Sequence, residues 1–87
     1  MLNVTLYTLH DCPFCSQVQE RLLSLQQELE FQLETVDLSV RPAEAKKHGV
    51  QAVPWIEVGA ERLIGPMESD ELAKAILRAV ESEFASA

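Results

Sequence analysis

The spacing of apolar positions changes several times along the chain, and each spacing predicts one element. Apolar and β-branched residues occupy position 2 and positions 4–8 without clean alternation, which is typical of a strand covered on both faces. A helix is predicted over 13–29, because apolar residues then recur in steps of four, three and four. The apolar residues of this helical face are Val18, Leu22, Leu25 and Leu29.

The next strand is predicted over 31–38, and its apolar residues do not all share one face. Phe31 and Leu33 have one parity, whereas Val36 and Leu38 have the other. Either the inward face of this strand changes along its length, or both of its faces are partly covered.

A short second helix follows this strand. It is predicted to open at Ser39 or Arg41, with Pro42 in its first turn, where a missing N–H is tolerated. The basic run 46–48 falls in its last turn, where positive charge suits the helix dipole. Gly49 provides the C-terminal stop.

The last third of the chain predicts a hairpin and a third helix. Strands are expected over 55–58 and 61–64, joined by a turn at Gly59 and Ala60. Ser69 fits the N-cap of the third helix, which has acidic residues in its first turn. Its apolar positions step by four and are Leu72, Ile76, Val80 and Phe84.

The element order βαβαββα predicts an α/β fold in one domain that spans residues 1–87. The first βαβ unit requires a right-handed parallel crossover, and the closing hairpin is antiparallel. The expected result is a mixed four-stranded sheet with helices on both faces.

Charge restricts the classes of partner. The chain carries seven basic and fourteen acidic residues, for a formal net charge of -7. This charge argues against nucleic acid, whose phosphates require Lys and Arg, and against anionic membrane surfaces. The N-terminal stretch shows no signal-peptide pattern, so we expect a cytoplasmic protein, and we expect a monomer.

Two cysteines, Cys12 and Cys15, carry the candidate chemistry. They are three residues apart, directly after the first predicted strand, and no other cysteine occurs. This spacing in a cytoplasmic protein indicates a redox pair or a metal clip. A closed zinc site needs four ligands, and the two histidines, His10 and His48, do not follow a zinc-finger spacing. We therefore favour a reversible dithiol and expect no resident metal.

The chain resembles the glutaredoxins and small glutaredoxin-like proteins of the thioredoxin-fold superfamily. The resemblance rests on the Cys-Pro-Phe-Cys sequence at 12–15, the Gly-Val-Gln-Ala-Val-Pro sequence at 49–54, and Gly65. It spans nearly the whole chain and implies a thioredoxin-like sheet with strand order 2-1-3-4.

The resemblance also implies a substrate-binding surface beside the cysteines. Pro54 would form a cis peptide bond, and Val53 would offer its backbone N–H and C=O to an extended peptide or to glutathione. Pro13 and Phe14 lie between the cysteines, and Phe14 is either a docking contact or a shield over the disulfide.

The start of the third helix would hold the γ-glutamyl end of glutathione. Gly65, Ser69 and Asp70 are the residues here that could serve this role, although Ser69 and Asp70 also fit a simple helix start. Residues 8–11 include no Lys or Arg, which glutaredoxins usually place there for a glutathione carboxylate. The electron donor is therefore either glutathione, as a co-substrate, or a flavoprotein disulfide reductase.

These expectations combine into one functional hypothesis and one competitor. As an oxidoreductase, the protein would reduce a disulfide in a partner protein or a glutathione mixed disulfide, without a bound cofactor. Cys12, at the helix N-terminus, would be the nucleophile and titrate below a free thiol, and Cys15 would resolve the mixed disulfide. The competitor is a non-enzymatic binding module that carries a metal or an iron–sulfur cluster.

Overall fold

The computed structural model describes the backbone of residues 1–86 and the side chains of residues 1–84. Its elements are β1 (Asn3–Thr8), α1 (Pro13–Leu25), β2 (Gln32–Asp37), α2 (Ala43–His48), β3 (Trp55–Val58), β4 (Glu61–Ile64) and α3 (Ser69–Ser86). Among these elements, no helix combines the length and the apolar character that a membrane crossing requires.

The strands form one sheet in the order β2-β1-β3-β4. β1 pairs in parallel with β2 and antiparallel with β3, and β4 is antiparallel to β3. This mixed sheet with three helices is a thioredoxin-like α/β fold, which confirms the predicted strand order.

The larger core lies between the sheet and the helices α1 and α3. The register opposes Val4 to Val58 and Leu6 to Ile56, so these four side chains share one face of the sheet. We call this buried set the α1/α3 core; it comprises Leu2, Val4, Leu6, Val18, Leu22, Phe31, Ile56, Val58, Leu72 and Ile76.

The opposite face of the sheet carries a smaller buried set beneath α2. Here Tyr7 lies between Val36 of β2 and Trp55 of β3 in the register. We call this set the α2 cluster; its buried members are Tyr7, Val36, Leu38 and Trp55. The helix α2 has no buried residue of its own, although Ala45 packs partly against the cluster.

The split parity of the second strand segment has a direct structural explanation. Phe31 and Leu33 pack with the α1/α3 core, whereas Val36 and Leu38 pack with the α2 cluster. Both faces of this segment are therefore partly covered, which resolves the two alternatives left by the sequence.

The first helix ends earlier than predicted. α1 ends at Leu25, because the N–H of Gln27 bonds to Ser24 O and tightens the last turn. The Gln26 side chain then donates to Phe31 O at 3.1 Å and ties this turn to the start of β2. Leu29 lies outside the helix but still packs against the α1/α3 core.

The second helix begins later than predicted, and its end is confirmed. The N–H of Arg41 bonds to Asp37 O at 2.9 Å, so a turn occupies the positions expected to open α2. Pro42 takes the N-cap position rather than the first turn. Gly49 ends the helix with φ 68°, a left-handed conformation that favours glycine.

The third helix differs from prediction at both ends. Ser69 is its first residue and not its N-cap, since the carbonyl of Glu68 already accepts from Leu72 N at 3.1 Å. Phe84 is 79% exposed, so its assignment to the packed face was wrong. An 18-residue helix is about 27 Å long and a six-residue strand about 20 Å, so α3 is longer than the sheet that it covers.

Candidate active site

The two cysteines are joined by a disulfide at the start of α1. Their Cα atoms are 5.2 Å apart, which lies within the normal range for a disulfide. Cys12 is the N-cap residue, with an extended backbone, and Pro13 takes the first helical position, where its missing N–H removes no helical hydrogen bond. Cys12 and Pro13 therefore determine where α1 begins.

The first sulfur is itself the capping acceptor. The N–H of Cys15 donates to Cys12 Sγ at 3.2 Å, and the N–H of Ser16 donates to Cys12 O at 3.2 Å. Free amides at a helix N-terminus stabilise negative charge. A thiolate on Cys12 would therefore gain a hydrogen bond and a favourable dipole.

The two cysteines differ in exposure. Cys15 is only 3% exposed, whereas Cys12 is partly exposed. Pro13 is exposed and Phe14 is 55% exposed, so both lie on the surface next to the sulfurs. An incoming disulfide can reach Cys12 more readily than Cys15.

A cavity of about 490 Å³ opens beside the disulfide. Its walls come from the loop between β1 and α1, from the first turns of α1, and from the end of β2. The residues that line it are Thr8, Leu9, His10, Asp11, Cys12, Pro13, Cys15, Ser16, Gln19 and Asp37.

Asp11 places a carboxylate directly before the first cysteine. Its φ is 58°, a left-handed conformation that Asp adopts more readily than most residues. His10 Nε2 lies 3.5 Å from Asp11 Oδ2, and both side chains are largely exposed. His10 is thus a surface residue of this loop that faces Asp11.

Val53 and Pro54 lie at the same end of the sheet as the disulfide. The register pairs Tyr7 with Trp55, so Pro54 follows on beside the end of β1 that leads to Cys12. The Val53–Pro54 peptide bond is cis, and Pro54 is buried. Val53 is partly buried and lines a second cavity of about 270 Å³.

The remaining candidate residues lie on the loop before α3. Gly65 donates its N–H to Pro54 O at 2.9 Å, which joins this loop to the cis proline. Ser69 and Asp70 are exposed at the start of α3, and neither lines the cavity at the disulfide. Ser69 instead borders a separate cavity against α1.

Sequence reasoning missed two contributors to this region. Asp37 lines the disulfide cavity, and its position could have been found, because the carboxyl ends of two adjacent parallel strands meet at one edge. Arg21 donates to Met67 O at 2.9 Å and lies 3.7 Å from Glu68, so it anchors the loop before α3. No motif signalled this second contact.

The potential metal ligands near the cysteines are not grouped around one point. Among the described residues, no three side chains of the types His, Cys, Asp and Glu lie close enough to share a metal ion.

Solved structures with similar folds include several thioredoxins. Mitochondrial thioredoxin 3 from Saccharomyces cerevisiae, in its oxidized form, aligns with a TM-score of 0.76 at 23% identity, over 88% of this chain and 77% of that one. A mutant thioredoxin from Halobacterium salinarum aligns with a TM-score of 0.78 at 20% identity, over 86% and 71%. A malarial protein aligns with a TM-score of 0.80 at 21% identity, over 91% and 97%. At these identities the similarity shows the fold.

The family is shown by sequence. No curated protein matches the chain significantly. The model of one protein family, described as "Glutaredoxin-like domain (DUF836)", matches residues 3–79. Together with a thioredoxin-like fold and a Cys12–Cys15 disulfide, this match supports a redox type of function. The chain therefore belongs to the glutaredoxin-like domain family (DUF836).

Proposed function

We propose that the protein is a thiol–disulfide oxidoreductase that cycles between a Cys12–Cys15 dithiol and the disulfide. The observation that carries this proposal is the contrast between the two sulfurs on one helical turn. Cys12 is partly exposed and accepts a hydrogen bond from the Cys15 amide, whereas Cys15 lies buried behind it. Attack by an accessible thiolate and release by a nearby second thiol both require such an arrangement.

The reaction balances without a cofactor. The Cys12 thiolate attacks one sulfur of the substrate disulfide, forms a mixed disulfide and expels the other substrate sulfur as a thiolate. Deprotonated Cys15 then attacks Cys12 Sγ, forms the Cys12–Cys15 disulfide and releases the second substrate sulfur. The protein dithiol loses two electrons and two protons, and the substrate gains two electrons and takes up two protons on its two released thiolates.

The segment 53–54 offers a place for the substrate backbone. The N–H and C=O of Val53 would pair with an extended peptide that crosses the disulfide. Pro54 has no N–H, and its carbonyl already accepts from Gly65. Pairing at Val53 would hold the substrate sulfur near Cys12.

A comparison of two reductants would identify the electron donor. Glutathione and a flavoprotein disulfide reductase are the two proposed donors, and both would return the disulfide to the dithiol. Reduction of the oxidised protein by glutathione, measured beside reduction by thioredoxin reductase with NADPH, identifies which one serves.

Replacement of each cysteine by serine tests the oxidoreductase proposal. Cys12→Ser is expected to reduce turnover of a disulfide substrate to the uncatalysed rate, because the nucleophile is lost. Cys15→Ser is expected to retain attack and to accumulate a mixed disulfide at one equivalent per chain, detected by intact-mass spectrometry. Gln27→Ala, an exposed position after α1 that does not line the disulfide cavity, serves as the control and should retain turnover.

Unchanged turnover in Cys12→Ser would exclude Cys12 as the nucleophile. A mixed disulfide on Cys15 in that variant would reverse the proposed roles. Metal that copurifies anaerobically in stoichiometric amount, together with absent turnover in the wild type, would favour the carrier function instead.

A further inference from the structure

The cavity at the disulfide carries negative charge. Two carboxylates line it, Asp11 beside the first cysteine and Asp37 at the end of β2. Among the described residues, Asp37 forms no ion pair and Asp11 faces only His10, at 3.5 Å. The side chain of Asp11 is 88% exposed and free to meet an incoming substrate.

Hydrogen bonds link the two segments that carry these carboxylates. The N–H of Ser39 donates to Asp37 Oδ1 at 2.8 Å and fixes that carboxylate. The N–H of His10 donates to Ser39 Oγ at 2.9 Å, so the loop that carries Asp11 is tied to the loop that follows Asp37. Asp11 and Asp37 therefore lie on two segments that are hydrogen-bonded to each other.

No lysine or arginine offsets this charge locally. None of the residues that line the cavity is a Lys or an Arg. The two arginines on the flanking elements have other partners: Arg21 bonds to Met67 O, and Arg41 bonds to Glu44. An anionic disulfide would meet two carboxylates and no lysine or arginine in this cavity, and His10 is the one lining side chain that can become positively charged.

The surface beside the cavity is apolar. Leu9 is 46% exposed and lines both the disulfide cavity and the second cavity of about 270 Å³. The second cavity is walled mainly by apolar side chains, including Leu38, Val50 and Val53. Because Leu9 joins the two cavities, an occupant of several residues could fill both, whereas a small thiol would fill one.

We propose that the physiological substrate is a polypeptide disulfide flanked by lysine or arginine, and that Asp11 and Asp37 determine this specificity. The inference rests on the proposed oxidoreductase function and names its substrate class. The basic side chain would enter the acidic cavity, and the adjoining chain would cover the apolar surface at Leu9. Glutathione disulfide, which is anionic, would be a poor substrate by comparison.

Single-turnover kinetics test this proposal without an electron donor. Pre-reduced protein is mixed with short blocked peptides whose one cysteine is a pyridyl mixed disulfide, and released pyridine-2-thione is followed by absorbance. Three peptides differ only in the residue before cysteine, which is lysine, alanine or glutamate. Each rate constant is divided by that of dithiothreitol with the same peptide, which removes differences in intrinsic reactivity.

The expected order of normalised rates is lysine, then alanine, then glutamate. A charge pair at an exposed site changes a rate constant by about threefold, so the lysine-to-glutamate ratio should be about tenfold at low salt. This ratio should shrink towards one in about 1 M salt, where the Debye length is about 3 Å.

Variants assign the selectivity to the two carboxylates. Asp11→Asn and Asp37→Asn are each expected to lower the lysine-to-glutamate ratio about threefold. In the second variant, the amide oxygen of the new side chain can still accept from the N–H of Ser39. Glu83→Gln changes the net charge equally but lies at the cavity beside the β3–β4 turn, so the ratio should remain as in the wild type. The ratio does not depend on the thiolate fraction of Cys12, because all three peptides meet the same thiolate.

Different outcomes would overturn the oxidoreductase function and the proposed substrate specificity. Reaction with none of the peptides would overturn the oxidoreductase function itself. Equal rates with all three, or an equal loss of selectivity in Glu83→Gln, would overturn the specificity while leaving that function intact. An equal normalised rate for the small cation 2-aminoethyl pyridyl disulfide and the lysine peptide would overturn the polypeptide as substrate.

Discussion

The two faces of the sheet are built differently. The face towards α1 and α3 buries only apolar side chains, and several of them, such as Leu6 and Leu22, are completely inaccessible. The face towards α2 buries fewer side chains and includes Tyr7 and Trp55, which both donate to Glu57 at 3.4 Å. One face is a dry core, and the other combines a small apolar cluster with a polar network.

This difference suggests that the two faces contribute differently to global stability and to local opening. Burial of apolar side chains is the main source of folding free energy, so the α1/α3 core should determine global stability. The α2 face borders the apolar cavity at Leu38, Val50 and Val53, close to the disulfide. We expect the α2 face to open locally more often, and to do so next to the site where a substrate would bind.

The largest expected loss of stability comes from replacing a buried leucine by alanine, and the loss should differ between the two faces. Leu6→Ala should cost about 4 kcal/mol of unfolding free energy, in the upper part of the range for buried leucines, because Leu6 is fully buried in the central strand. Leu38→Ala should cost about 2 kcal/mol, since Leu38 already borders a cavity and retains 7% exposure. Urea unfolding measures both values, and equal losses would contradict the asymmetry.

A smaller effect is expected from Tyr7→Phe, which removes the hydroxyl from the polar network. The lost hydrogen bond to Glu57 should cost about 1 kcal/mol at neutral pH. Burial, followed by the nearby Glu57 carboxylate, raises the pKa of Tyr7 to about 12. Because the native state holds this proton more tightly than the unfolded state, Tyr7 lowers stability as the pH rises from about 10 to about 12.

The variant lacks this titration, so its pH dependence isolates the tyrosine. The stability difference between wild type and Tyr7→Phe should therefore fall over the same interval, by at most about 1.4 kcal/mol per pH unit. Chemical denaturation at several pH values measures the difference. A constant difference between pH 10 and pH 12 would contradict the burial of the hydroxyl beside Glu57.

The smallest effect is expected from Glu44→Gln on α2. Glu44 accepts from Arg41 at 2.8 Å and lies 3.2 Å from His48, so this change weakens both pairs at once. The global loss should be about 0.5 kcal/mol. Amide hydrogen exchange should rise in α2 and stay unchanged in α1. Glu28→Gln, an exposed residue without an ion pair among the described residues, should leave both helices unchanged.

Periodicity was sufficient to predict the elements, whereas the strand order was implied by the resemblance to the glutaredoxins and not by the apolar pattern. The apolar period gave a wrong prediction near the ends of two helices. Phe84 continues the four-residue step of α3, but a sequence period does not report how far the sheet extends beneath the helix. Leu29 likewise continues the period of α1 although the backbone has already turned at Gln26.

At the site, the cysteine pair and the cis Val53–Pro54 bond were predicted, whereas two neighbouring residues were missed. Two cysteines on one turn define the chemistry locally, whereas Asp37 and Arg21 reach the region only through the parallel register and the packing of α1. Long-range contacts of this kind leave no local pattern in the sequence.

The role of Cys12 Sγ as a capping acceptor has a consequence for chemical labelling. The Cys15 amide points at this sulfur, so its proton resonance should follow each change of oxidation or protonation at the sulfur without any added probe. An alkylating reagent on Cys12 would weaken the acceptor as well as block the thiol. Covalent modification of Cys12 should therefore also loosen the first turn of α1, because the helix loses the acceptor that caps its N-terminus.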